Sequence, residues 1–262
     1  MKLMAIHHKG TIKEYLNRQK LGNFIYQCNN LGTPFWENTQ WYGLYEEDRL
    51  MAVAMFVIKY DIPILLATSY CKTDFYQDEL FKQLRIFLPK KLYTHLNADT
   101  VRKSLVEAED IQVCRYYNME LTERSEDKKI DSEAVQQLSE KDTEGIINLL
   151  EESHPEYLVD HEFIKGGYFW GVKSEGKIIS LAGITAKSEE FKIVSIGNIT
   201  THPDYRHTGL STKTVTRLMD YLEPDFKKIV LNVKETNETA IKFYKKLGFS
   251  KIGLFDEVIF DK

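Results

Sequence analysis

The chain has no apolar run long enough to serve as a membrane span; Ala52 to Ile58, among its most apolar stretches, falls far short of the ~20 residues a spanning helix needs. Its first residues, MKLMAIHHKGTIKEYLNRQKLGN, lack the apolar centre of a secretory signal. Cysteine is scarce. Cys28, Cys71 and Cys114 are too far apart for CxxC metal or redox motifs, and their odd number argues against a disulfide framework, so a reduced, cytoplasmic setting is expected. There is no excess of positive charge either: 35 Lys and Arg stand against 39 Asp and Glu, a formal net charge of -4. That argues against the broadly basic surface with which proteins grip nucleic acid non-specifically. Neither a GxxxxGK Walker loop nor a GxGxxG dinucleotide loop is present, and the His and carboxylate spacing is not HExxH, so no metal site is expected.

What is present is a foldable amount of apolar material. With 43% hydrophobic residues in 262, the chain can bury one large core or two ordinary ones. The nearly all-polar stretch LTERSEDKKIDSE, residues 121 to 133, separates two regions of apolar periodicity and predicts a linker, with domains at 1–122 and 130–262. After it, Ser139 is placed to cap a helix over Glu140 to Glu152. YFWGVKSEGKIISLAGITA (168–186) alternates into a turn at Ser174 to Gly176 and out again, as a hairpin does. WYGLYEEDRLMAVAMFVI (41–58) matches it at an offset of 128, aligning Gly43 with Gly171, Ala54 with Ala182 and the Glu46 to Asp48 turn with the later one. Two copies of one fold are therefore expected. FKIVSIGNIT (191–200) and KKIVLNV (227–233) predict strands, Gly209 to Leu222 and Asn237 to Leu247 predict helices, and Gly248 is set for a left-handed cap. The final FSKIGLFDEVIF (249–260) supplies one or two strands. The fold class is α+β, a mixed, mostly antiparallel sheet flanked by helices.

The segment HPDYRHTGLSTK (202–213) joins a strand to a helix through small residues. A helix start offers free N–H groups and the positive end of the helix dipole, so an anion is stabilised there. By itself the segment is equally a plain strand-to-helix turn. Its neighbours decide.

ITTHPDYRHTGLSTKTVTRLMDYL (199–222) resembles the acyl-CoA motif of the GNAT superfamily of N-acyltransferases, in which Gln or Arg, then Gly, then Gly or Ala open the helix; here Arg206, Gly209 and Ser211 take those places. LNVKETNETAIKFYKKLGF (231–249) resembles the family's second motif, NxxAxxFYxxxGF, filled by Asn237, Ala240, Phe243, Tyr244, Gly248 and Phe249. The resemblance covers residues 130 to 260. The first half shows only the hairpin and no RxxGxG, so it resembles a degenerate GNAT copy ahead of an active one.

The resemblance implies that His207, Thr208, Gly209, Leu210, Ser211 and Thr212, with Arg206, hold the pyrophosphate of acetyl-CoA. Ile199, Thr200 and Thr201 would pair with the pantetheine arm, and an N–H at Ile199 or Thr200 would face the thioester oxygen. Asn237 would contact the cofactor where the central strands part. Tyr244 would be the general acid for the leaving thiolate, although a core tyrosine satisfied by packing reads the same way in sequence. The general base is not identified: the strand position where many family members carry glutamate is Ser195, with Glu189 and Glu190 displaced. In SHPEYLVDHEF (153–163), His154, Glu156, Asp160, His161 and Glu162 are candidates for binding the amine or taking its proton, with His154, Glu156 and His161 foremost for binding, against the alternative of a solvated polar loop or helix start. His202 is read as structural, and Phe35, Trp36, Trp41 and Tyr42 either line a cleft or pack a strand.

The expected activity is transfer of an acetyl group from acetyl-CoA to a primary amine of a small molecule or peptide, with no metal, nucleic acid or membrane involved and a homodimer left open. No cysteine falls in either motif, which disfavours a route through an acylated thiol. The alternative is a non-catalytic acyl-CoA-binding sensor or interaction module, since the usual base is missing. An aminoacyl-tRNA-dependent ligase with twin GNAT-like domains is a third reading, weakened by the lack of a basic helical arm.

Overall fold

A computed structural model describes residues 1–18, 24–69, 75–97, 110–124, 134–154 and 157–261. Cys71, Glu156 and most of the expected linker lie outside the described residues. Along the chain run β1 (Lys2–Ala5), α1 (Lys9–Asn17), α2 (Ile25–Asn30), β2 (Thr39–Glu46), β3 (Arg49–Val57), β4 (Ile64–Ser69), α3 (Phe75–Leu84), β5 (Lys91–Asn97) and β6 (Asp110–Leu121). They are followed by β7 (Gln136–Leu138), α4 (Thr143–Ser153), α5 (His161–Lys165), β8 (Phe169–Ser174), β9 (Lys177–Ser188) and β10 (Ile193–Thr201). The last elements are α6 (Leu210–Leu222), β11 (Lys228–Lys234), α7 (Glu238–Lys246) and β12 (Phe249–Asp261). By packing, the chain forms two units: residues 1–118, 233–238 and 251–262, and residues 119–232 and 239–250.

In the first unit β1 to β5 follow one another in order, and the end of the chain completes the sheet: β12 runs antiparallel to β5, with Val258 opposite Thr94. Val258 and Phe260 are buried in the core that β3, β4 and β5 build against Leu80, Phe81 and Leu84 of α3. Trp41 belongs to a core as well, 2% exposed and stacked on Trp36, which settles it as packing rather than a cleft wall. In the second unit the strand order is β11-β10-β9-β8-β7. Strand β9 is buried without interruption from Ile178 to Ile184, the mark of a strand covered on both faces, and α4 and α6 both pack on β9 and β10. The Ser139 cap forms as a capping box with Asp142, leading through a short 3-10 turn into α4.

The two units repeat one design. In each, three antiparallel pairs are followed by a parallel one, β1 to β5 in the first and β7 to β11 in the second. The hairpins agree residue by residue. Tyr42 faces Ala54 and Gly43 faces Val53, while Trp170 faces Ala182 and Gly171 faces Leu181, always at the offset of 128 seen in the sequence. The irregularity after Leu44 recurs after Val172, and the left-handed pair Glu47 and Asp48 recurs as Glu175 and Gly176. Tight two-residue hairpins demand positive φ at both turn positions, and a bulge shifts everything beyond it by one residue. Sharing alternation is easy; sharing turn, register and bulge marks a duplicated fold.

Candidate acetyl-CoA site

The second unit's sheet opens between β10 and β11. These parallel strands pair only over Ile193 to Ser195 against Lys228 to Val230, though β10 continues to Thr201 and β11 to Lys234. On its other edge β10 is irregular too. Gly197 faces Gly183 but Thr200 faces Leu181, so one extra residue is accommodated around Asn198, which sits at φ 50. A bulge of this kind leaves a backbone group out of the ladder and re-aims the strand. Thr200 and Thr201 are buried and Ile199 is half-buried along this freed edge.

Beyond β10 the chain makes a short 3-10 turn at Pro203 to Tyr205 and then bends left-handed twice, at His207 (φ 64) and Gly209 (φ 82), before α6 begins. The first N–H of the helix with a backbone partner is Lys213, which donates to the Gly209 carbonyl at 3.2 Å. The six amides from His207 to Thr212 have no hydrogen-bond partner among the described residues. Consecutive free N–H groups on a backbone that alternates hand are the arrangement from which anion nests are built, and here they lead into the N-terminus of a 13-residue helix. A Cβ built on Gly209 would meet nothing within 4 Å, so this glycine is required by its backbone angle, not by crowding.

A chain of hydroxyls sets the nest against the strand. Ser180 Oγ lies 2.8 Å from Thr201 Oγ1, which lies 2.8 Å from Ser211 Oγ, and Arg206 Nε donates to the Thr201 carbonyl at 3.2 Å. Ser211, where the family motif has glycine or alanine, thus turns its hydroxyl towards Thr201. Thr208 closes the preceding turn on the Tyr205 carbonyl at 2.6 Å. His202 holds the turn that follows β10: its Nδ1 accepts from the Asp204 N–H at 3.3 Å and its Nε2 lies 3.0 Å from a Glu152 carboxylate oxygen.

Tyr244 lies on α7, half-buried, with its ring against Phe243 and Phe249 at 5.2 and 6.0 Å between centroids. Its hydroxyl has no hydrogen-bond partner among the described residues. Burial pushes the phenol above its ordinary value, so it keeps its proton through neutral and mildly alkaline pH. Gly248 closes the same helix at φ 100, its carbonyl accepting from the N–H groups of Thr122 and Glu123 at 3.1 and 3.3 Å. Asn237 is exposed in the turn between β11 and α7, a segment that packs with the first unit.

The expected amine-binding residues disperse. His154 ends α4 and its carbonyl accepts from the Tyr157 N–H, while His161 is the exposed first residue of α5, a helix capped by the Asp160 carboxylate. Ser195 is buried and accepts a hydrogen bond from the Thr185 hydroxyl at 3.0 Å, so the family's glutamate position is closed by a neutral pair. Sequence reasoning missed Asn198. The available signal was the Gly197-Asn198 pair inside an apolar strand, since both residues accommodate bulges and left-handed backbone.

Residues 132–249 match the model of the acetyltransferase (GNAT) family. Over these residues the C-terminal half is similar to the GNAT family. The N-alpha-acetyltransferase RimI of Mycobacterium tuberculosis is 25% identical over 91 residues, 33% of this chain and 54% of that protein. The chain thus spans about half the length of this curated relative. Solved structures resemble the whole chain in fold: a Drosophila protein with TM-score 0.74, 12% identity and 98% of each chain covered. A GNAT-family acetyltransferase of Colwellia psychrerythraea gives TM-score 0.62 at 12% identity, covering 100% of this chain and 99% of its own. A tandem GNAT protein from the clavulanic acid biosynthesis pathway gives 0.58 at 9% identity, covering 100% and 98%. Among the described residues no helix is long and apolar enough to cross a membrane and no group of His, Cys, Asp and Glu could hold a metal ion.

Proposed function

We propose that the second unit transfers the acetyl group of acetyl-CoA to a primary amine of a small molecule or peptide, by direct attack and in the cytoplasm. The observation that carries this is the row of six amides, His207 to Thr212, without a partner among the described residues and placed just beyond a strand edge left open by the parting of β10 and β11. In this reading the amides and Arg206 take the pyrophosphate. Ile199 to Thr201 offer main-chain groups to the pantetheine arm, which adds to the sheet as a peptide strand would. A backbone N–H of the bulged segment faces the thioester oxygen and stabilises the charge that develops on it. The amine nitrogen bonds to the carbonyl carbon, the carbon–sulfur bond breaks, and the departing thiolate takes its proton from Tyr244, whose free, protonated phenol suits an acid. The ammonium form of the substrate loses its own proton to water or to a base off β10, since the strand IVSIGNITT carries no carboxylate. The first unit is a copy of the fold without an RxxGxG loop and provides no second acetyl-CoA site.

The neutral Ser195 and Thr185 pair favours one other reading, an acetyl-CoA-binding module without turnover. Calorimetry with acetyl-CoA, together with thiol release and product mass over a panel of polyamines, aminoglycosides, amino acids and peptides with free α-amines, separates the two. Binding with amine-dependent thiol release supports transfer. Binding without turnover on any amine supports the module, and no binding of acetyl-CoA sinks both.

A further inference from the structure

Asn198 occupies an unusual position for its side chain. It lies inside β10, 6% exposed, with a left-handed backbone at φ 50, a conformation that asparagine tolerates far better than most side chains. Glycine would meet the backbone requirement equally well. What asparagine adds is a donor: its Nδ2 bonds the Leu158 carbonyl at 3.0 Å, 40 residues away in sequence. Leu158 belongs to the connection between α4 and α5, where the residue is 57% exposed. Other bonds of that connection run within the neighbouring helices and their caps, Tyr157 N–H to the His154 carbonyl, Tyr157 hydroxyl to Glu151 and the Glu162 N–H to the Asp160 carboxylate. Asn198 is therefore a long-range tie between this connection and the bulged strand.

We infer that Asn198 is a positioning residue, which locks the 157–160 segment to the bulge so that the wall met by the incoming amine keeps a constant distance from the thioester end of β10. This rests on the acetyl-transfer reading for what the wall faces, but the tie itself does not. The geometry gives the tie a selective effect. The pyrophosphate nest is held separately, by the Ser180, Thr201 and Ser211 hydroxyls and by Arg206, so loosening Asn198 leaves that end of the site in place.

The experiment uses the full chain with Asn198→Gly, which keeps the left-handed backbone and removes the donor, and Asn198→Asp, which keeps the shape but can only accept and so faces the Leu158 carbonyl without a bond. Losing one buried hydrogen bond of ordinary worth should speed amide hydrogen exchange across residues 157 to 164 by roughly three- to tenfold in Asn198→Gly. For the amine found by the panel above, KM should rise by a similar factor, with acetyl-CoA affinity by calorimetry unchanged and with Asn198→Asp at least as impaired. Unchanged exchange in both variants overturns the tie. A loss of acetyl-CoA affinity equal to the rise in amine KM overturns the selective role. If wild type acetylates no amine, the transfer reading fails while the exchange measurement still decides the tie.

Discussion

Replacing Gly209 by alanine isolates the backbone requirement of the proposed anion nest. The residue sits at φ 82 with open space where the Cβ would go, so no clash enters. The cost is that of holding an alanine left-handed, about 1–2 kcal/mol, and asparagine should recover most of it. Gly248 is the contrasting case. At φ 100 its Cβ would stand 1.7 Å from the Glu123 carbonyl oxygen and 2.7 Å from the carbonyl carbon, backbone atoms that have no rotamer to change. Gly248→Ala should therefore cost more than about 4 kcal/mol, or prevent folding. Urea denaturation measures both, and calorimetry with acetyl-CoA reads the nest directly. If Gly209→Ala escapes strain by relaxing the loop, at least one amide swings out of line; a hydrogen bond to a charged group is worth about 1.5–3 kcal/mol, which is roughly ten- to a hundredfold in affinity. Gly209→Asn should bind nearly as wild type does. The reasoning is refuted by a Gly209→Ala protein unchanged in both stability and affinity, by Gly209→Asn as impaired as the alanine variant, or by Gly248→Ala as mild as Gly209→Ala.

Tyr244→Phe should lower kcat by roughly 10²–10⁴-fold with acetyl-CoA binding retained, and unchanged turnover removes the acid role. Because burial raises this phenol, the wild-type kcat profile should show no alkaline loss from it below about pH 10, the ordinary tyrosine value. Ser211→Ala removes the 2.8 Å bond to Thr201 and should cost about 0.5–1.5 kcal/mol of stability with a smaller effect on acetyl-CoA affinity; the opposite ranking in denaturation and calorimetry would place the hydroxyl on the phosphate. Burial alone raises the Asp142 carboxyl, but its bonds to Lys173 at 2.6 Å and to Ser139 outweigh that and hold it below its ordinary value. Its contribution is thus complete above the unfolded carboxylate pKa of about 3.9 and is lost as pH falls through the lower folded value. Lys173→Met should move the onset of acid destabilisation to higher pH, measured as denaturation midpoint against pH, and a curve parallel to wild type would refute the pairing.

Much of the second unit was legible because its signals are local. Ser139 with Asp142, Gly209 ahead of an amphipathic run and Gly248 after one are short-range chemistry, and each lies where its capping or turning role demands. The duplication was legible for a subtler reason. An offset of 128 in alternation and glycine placement survives because both hairpins keep the same turn and the same bulge, which the pattern could suggest but only the register proves. The Asn198 bulge was hidden, since alternation in IVSIGNITT predicts an ordinary strand and the extra residue shows only against its partner β9. The partner of β12 was hidden too. An apolar strand after a helix names no partner, and its pairing with β5 across more than half the chain is a long-range choice.

By itself, then, the sequence determined the α+β class, the helix ends, the hairpin turns and the two motifs that resemble those of the GNAT family, because each depends on residues within a few positions of one another. Tertiary structure alone decided that Ser211 bonds Thr201, that the Tyr244 hydroxyl finds no partner among the described residues, that Ser195 is closed by Thr185 and that Asn198 reaches Leu158. Each is a question of which side chain meets which across folded distance, and the energy of a hydrogen bond depends on that meeting rather than on the identity of either partner.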